Sequence, residues 1–124
     1  MSQPSKAPLD VKARRAWPPI PVQLKSGEKA GCGLVLNLSL SSAFVATSLI
    51  LRPKSRLQLV FVSSDTGQEM QVEAEVVWHN HRFFPIFTQL PAGYGIRFAD
   101  TDENRCVLSV VVKGALGKRA QSVA

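Results

Sequence analysis

The stretch LVLNLSLSSAFVA, residues 34–46, decides the fold. Leu34, Leu36, Leu38 and Leu40 share one parity, and Val35, Asn37, Ser39 and Ser41 share the other. A period of two is the signature of a half-buried strand, so the leucines are expected to face a core. The apolar run from Gly33 to Leu51 approaches the length of a membrane span. Asn37, Thr47 and four serines within 39–48 interrupt it, which excludes that reading. A bend is expected near Ser41 and Ser42, with AFVA continuing as strand beyond it.

Outward from this stretch the chain keeps the same period. Towards the N-terminus, IPVQL (residues 20–24) reads as a short strand, and KSGEKAG as a Gly-bearing turn. Towards the C-terminus, RLQLVFV (56–62) places Leu57, Leu59 and Phe61 inward. SSDTGQ has Asp and Gly at its tip and reads as a turn. EMQVEAEVVWH then sets Met70, Val72, Ala74, Val76 and Trp78 on one face, so the two strands form a hairpin. GYGIRF (93–98) returns as a strand with Tyr94, Ile96 and Phe98 inward and Arg97 outward. Between them, residues 80–92 carry three Phe and two Pro and read as an ordered loop folded over its own apolar groups.

After GYGIRF, VLSVVV alone fits strand or helix, since β-branched residues favour sheets. Asp100 followed by Glu103 resembles a capping box. Leu108, Val111, Val112 and Ala115 form a helical stripe, and Lys118 and Arg119 follow the last turn. These signals favour a helix. The expected architecture is a mainly β fold: a small six-stranded antiparallel β-barrel with a C-terminal α-helix covering one open edge or end.

The 124 residues suit one domain. Residues 1–19 read as a flexible basic arm, because Pro4, Pro8, Pro18 and Pro19 deny it a helix. Residues 20–117 would form the barrel and helix, and 118–124 a tail. The net charge is +6, and the excess sits at the two ends. Residues 1–30 hold six basic side chains against two acidic ones, and Lys113, Lys118 and Arg119 add more near the C-terminus. That distribution suits an anionic partner near the termini, or simply keeps a small domain soluble. No apolar signal-peptide core follows the N-terminal lysines, so a cytoplasmic location without membrane insertion is expected.

Catalytic and metal chemistry find little support. Cys32 and Cys106 match no metal or redox spacing and read as small buried hydrophobes. His79 and His81 share a strand face but lack further ligands, so no metal site is expected. No Ser occupies a Gly-x-Ser-x-Gly elbow with a poised base, so no enzyme is expected. Single-stranded nucleic acid calls for outward aromatics on strands. Phe61, Trp78, Tyr94 and Phe98 all fall on the inward parity, which argues against a DNA or RNA partner. Phe83, Phe84 and Phe87 either pack beneath their own loop or present a contact surface to a protein partner. Asn37 and Ser39 either line a solvated strand face, form a turn beside a bulge, or contact a ligand.

The ordered set Asn37-Leu38-Ser39, then Val76-Val77-Trp78, then Gly93-Tyr94-Gly95-Ile96-Arg97-Phe98 and a helix resembles the PilZ domain family of bacteria. The resemblance spans about residues 12–117. It implies a six-stranded barrel that binds cyclic di-GMP on its outer face. It also implies two signatures: Arg-x-x-x-Arg in the arm, and Asp/Asn-x-Ser-x-x-Gly on the second strand. An Arg fork can pair with guanine O6 and N7 or stack on a base. The Gly lets ligand approach the backbone closely, and binding would draw the arm onto the barrel. Asn37 and Ser39 match the second signature, but Ser42 stands where Gly is expected. Arg14 or Arg15 supplies the first Arg, and four residues further on stand Pro18 and Pro19. Trp17 either docks on the barrel wall or stacks on a guanine. The candidate cyclic di-GMP contacts are therefore Arg14, Arg15, Asn37, Ser39 and Ser42, with weakened binding expected. The resemblance implies a signalling receptor or adaptor. A nucleotide-independent adaptor working through Phe83, Phe84 and Phe87 is the alternative.

Overall fold

The computed structural model describes the backbone of residues 14–62 and 66–123, with side chains described at Ala16 and over 19–62 and 66–113. Residues 1–13 of the expected arm, Ser63, Ser64 and Asp65 of the expected turn, and the side chains of Arg14, Arg15, Trp17 and Ala115 lie outside the described set.

Six strands follow in chain order: β1 (Arg14–Ser26), β2 (Lys29–Leu38), β3 (Ser42–Ala46), β4 (Arg56–Val62), β5 (Glu69–Asn80) and β6 (Gly93–Phe98). One helix, α1 (Asp102–Val123), closes the order. Every pairing is antiparallel, and the strands close into a barrel in the order β1-β2-β3-β6-β5-β4. Closure leaves no sheet edge to template aggregation. The expected mainly β barrel with a C-terminal helix is thus the observed fold.

The interior is built by alternation. Leu57, Leu59, Phe61, Val72, Ala74, Val76, Tyr94, Ile96 and Phe98 all reach the core, as their parity predicts. Helix α1 lays Leu108 into that core, with Val107, Val111 and Val112 packed partly against it. The segment VLSVVV is helical because its start is well capped. Thr101 is the cap rather than Asp100: its Oγ1 accepts from Asn104 N at 3.1 Å, satisfying a first-turn amide. Asn104 is buried and ties the helix to β5, donating from Nδ2 to the carbonyls of Glu73 and Ala99. Arg105 pairs with Asp100 and Asp102 at the same end.

Two bulges depart from simple alternation. In β2 the register shifts between Val35 and Asn37, so Val35 and Leu38 both face the core. Leu34 and Leu40 are left exposed, at 43% and 55%, against the expectation that the leucines form one buried face. One inserted residue transfers every later side chain to the opposite face. In β5 the register shifts between Val76 and Trp78, which moves Trp78 from the inward to the outward face.

Strand β1 begins at Arg14, six residues before the expected start at Ile20. Arg15 pairs with Asn37 and Ile20 with Val35, so residues 16–19 bulge opposite Leu36 alone. Pro18 and Pro19 sit in this bulge, where a missing amide costs no ladder bond. The cysteines are both free and exposed, not buried. Cys32 lies on the outward parity of β2 beside Leu34, and Cys106 on the solvent face of α1.

Candidate functional site

Residues opposite one another in an antiparallel pair project to the same face. Following the pairing from strand to strand therefore draws rows around the outer wall. One row runs Asn37, Phe44, Gly95, Trp78. The next runs Ser42, Arg97, Glu75, Arg56. Ser39 joins it at the β2–β3 turn, where Ser39 N donates to Ser42 O at 2.9 Å. Of the candidate residues, the fold brings together Asn37, Ser39 and Ser42 on neighbouring rows. The backbone of Arg15 pairs with Asn37 and that of Arg14 with Leu38.

Ser39 shapes this corner. It is nearly buried, and its Oγ accepts from Ser41 N at 3.1 Å and Ser42 N at 3.0 Å. The serine therefore holds the tight turn that follows β2, the structural role its residue type also allows. Ser42 is not in the left-handed region: Lys54, at φ 63°, is the non-glycine residue with positive φ among those described. The departure from Gly thus strains no backbone. It adds a hydroxyl to the outer wall, with Ser42 Oγ 3.4 Å from Ser39 Oγ.

Beside Ser42 stands Arg97, its direct cross-strand partner. The Arg97 side chain is two-thirds exposed, and Nη2 donates to Glu75 Oε1 at 3.2 Å. Its outward position is the one its parity in GYGIRF predicts. Its adjacency to Ser42 depends on which strands pair, so nothing local in the sequence could have linked them.

The other row is covered. Trp78 packs against Phe44 with ring centroids 5.4 Å apart, and Phe87 meets the indole edge-on at 5.6 Å. The outward position of Trp78 corrects the expectation that all strand aromatics face in, but these two rings occupy its flanks. Phe87 comes from the loop, residues 81–92, which Asn80 fastens down. Asn80 is fully buried; its Nδ2 donates to the carbonyls of Phe87, Leu90 and Pro91, and its Oδ1 accepts from Phe87 N. The same loop leaves Phe83 and Phe84 at 72% and 82% exposure. The three phenylalanines therefore divide, with Phe87 packed inward and two projecting.

The histidines sit at one end of this loop. His79 stacks on Tyr94 at 4.5 Å and lies 5.2 Å from His81. Partial burial, then the neighbouring His81 charge, lowers the His79 pKa from its usual value. Among the described residues no group of three or more His, Cys, Asp or Glu could hold a metal ion. No helix among them is long and apolar enough to cross a membrane.

The chain is a closed antiparallel barrel with polar residues on its outer wall. The comparisons supply its family. The PilZ domain model matches residues 11–110, and the chain belongs to the PilZ domain family. That is a family of cyclic di-GMP receptor and adaptor domains, not of enzymes. Two solved structures share the fold. One is the PilZ domain of YcgR from Escherichia coli with c-di-GMP, at 16% identity and TM-score 0.65, covering 90% of this chain and 93% of that one. The other is the PilZ domain of CeSA from a cellulose-synthesizing bacterium, at 17% identity and TM-score 0.59, covering 86% and 97%. No curated protein matches the chain.

Proposed function

We propose that this domain is a cyclic di-GMP receptor of reduced affinity, acting as a signalling adaptor. The observation that carries the reading is the pairing of Arg15 with Asn37, next to Ser39 and Ser42. It sets the basic segment against the Asn-x-Ser strand on one side of the barrel. Arg14 and Arg15 would donate to guanine or phosphate, Asn37 and Ser39 would add polar contacts, and Ser42 would border the ligand. The match to a PilZ domain with c-di-GMP supports the ligand class. Affinity is reduced because Pro19 offers no donor where a second Arg is expected. One charge-assisted hydrogen bond is worth about 1.5–3 kcal/mol, roughly ten- to a hundredfold in affinity. Calorimetric titration of cyclic di-GMP into the whole chain tests this. Weak binding that Arg15→Ala abolishes is expected; binding indifferent to Arg15 contradicts the assignment.

A second reading rests on the loop. Phe83 and Phe84 project side by side from the loop that Asn80 fastens at Phe87, Leu90 and Pro91, an exposed apolar pair that a partner could cover. They would form a protein contact surface that works with or without nucleotide. Loss of a partner on Phe84→Ala, with nucleotide binding unchanged, would favour it.

A further inference from the structure

Pro19 leaves the site one guanidinium short, yet the outer wall places another at its border. Arg97 is the cross-strand neighbour of Ser42, in the row that Ser39 opens. It reaches this place from β6, far from the arm in sequence. Among the described residues its Nη2 alone is engaged, through Glu75 Oε1 at 3.2 Å. Its Nη1 and Nε have no other partner among the described residues, and the side chain is 66% exposed.

The neighbour decides what Arg97 could read. Glu75 is also partly exposed, at 41%, so it stands beside the guanidinium as an accessible acceptor. A phosphodiester approaching Arg97 has no donor to offer that carboxylate, even with Arg56 on its other side. A guanine does. Its O6 and N7 accept from an Arg fork, and its N1–H and exocyclic amine donate to a carboxylate. A paired donor and acceptor on one exposed row therefore offer a guanine contacts at both edges, of which a phosphodiester, having no donor, can use only half.

We infer that Arg97 and Glu75 form a guanine-reading pair at the edge of this site, beside Ser42, in place of the second arm Arg. The inference rests on the cyclic di-GMP reading above. On binding, the guanidinium keeps its contact with Glu75 or exchanges it for the base, with no covalent step.

The test is a titration of the whole chain with cyclic di-GMP, followed by nitrogen-15 NMR so that weak binding is still read. The Arg97 Nε–H resonance should shift on addition of ligand. Arg97→Ala and Arg97→Lys should each weaken binding about tenfold or more, because a lysine cannot make the fork. Glu75→Ala should weaken it as well. Cyclic di-AMP, whose adenine lacks O6 and the 2-amino group, should leave the Arg97 resonance unmoved. Both side chains are exposed, and unchanged amide spectra would show that each variant folds. Wild-type affinity in Arg97→Ala, with binding still abolished by Arg15→Ala, overturns the inference and spares the receptor reading. Tighter binding in Glu75→Ala, or full affinity in Arg97→Lys, makes the contact a phosphate contact and also overturns it. No response in the wild-type chain at any resonance removes the receptor reading and the inference together.

Discussion

The indole of Trp78 occupies the space that any side chain at residue 95 would need: a Cβ built on Gly95 would lie 1.7 Å from Trp78 Nε1. The glycine keeps β6 bare so that the indole can cross it towards Phe44. Gly95→Ala should therefore push Trp78 off the wall and cost about 1–3 kcal/mol, as overpacking does. Urea denaturation measures it. Adding Trp78→Ala to Gly95→Ala should leave the double variant more stable than independent losses would give. The neighbouring Gly93 offers no such rescue, because its Cβ would meet the Val45 carbonyl oxygen at 2.2 Å.

Asn80 is the fastening of the aromatic loop. Asn80→Ala removes its amide and leaves the carbonyls of Phe87, Leu90 and Pro91 short of a donor. A loss of about 1–3 kcal/mol is expected. Hydrogen exchange at Phe87 N, which donates to Asn80 Oδ1, should accelerate more than exchange in β4.

The phenylalanines should separate by stability. Phe83→Ala and Phe84→Ala, at exposed positions, are expected to stay within about 0.5 kcal/mol of wild type. Phe87→Ala, which strips the edge of Trp78, should lose up to about 3 kcal/mol. Thermal melts of the three variants read the difference directly.

His79 should titrate below the usual histidine value of 6.5, owing first to burial and then to the charge on His81. Because the folded state binds this proton less tightly than the unfolded chain, stability is full above the unfolded value. It declines as pH falls through the lower, folded value. Proton NMR titration of the imidazole checks the direction. His81→Gln removes the second cause and should bring the His79 pKa part of the way back up.

Much of the barrel was legible because alternation is a local signal. The core residues of β4, β5 up to Val76, and β6 stand where their parity put them. What alternation could not reveal was the pair of bulges. An extra residue near Leu36 exposes Leu34, and another near Val77 turns Trp78 outward. Both depend on how neighbouring strands align across the barrel, not on the residues inserted. Gly95 offered a clue in retrospect, since a bare position in a strand marks close approach by something else. The site was legible in part. Asn37, Ser39 and Ser42 were named through the family resemblance, and the turn-forming use of Ser39 was open from its residue type. Arg97 was seen as outward but not as a neighbour of Ser42, because that relation spans half the chain.

The central claim is that the cyclic di-GMP site is present but weakened at two positions, Pro19 and Ser42. The most direct test is calorimetry of cyclic di-GMP against the wild-type chain and against the double variant Pro19→Arg with Ser42→Gly. Restoring a guanidinium and opening the wall should raise affinity by roughly ten- to a hundredfold. A double variant that binds no better than wild type would contradict the alignment of these residues with the nucleotide site.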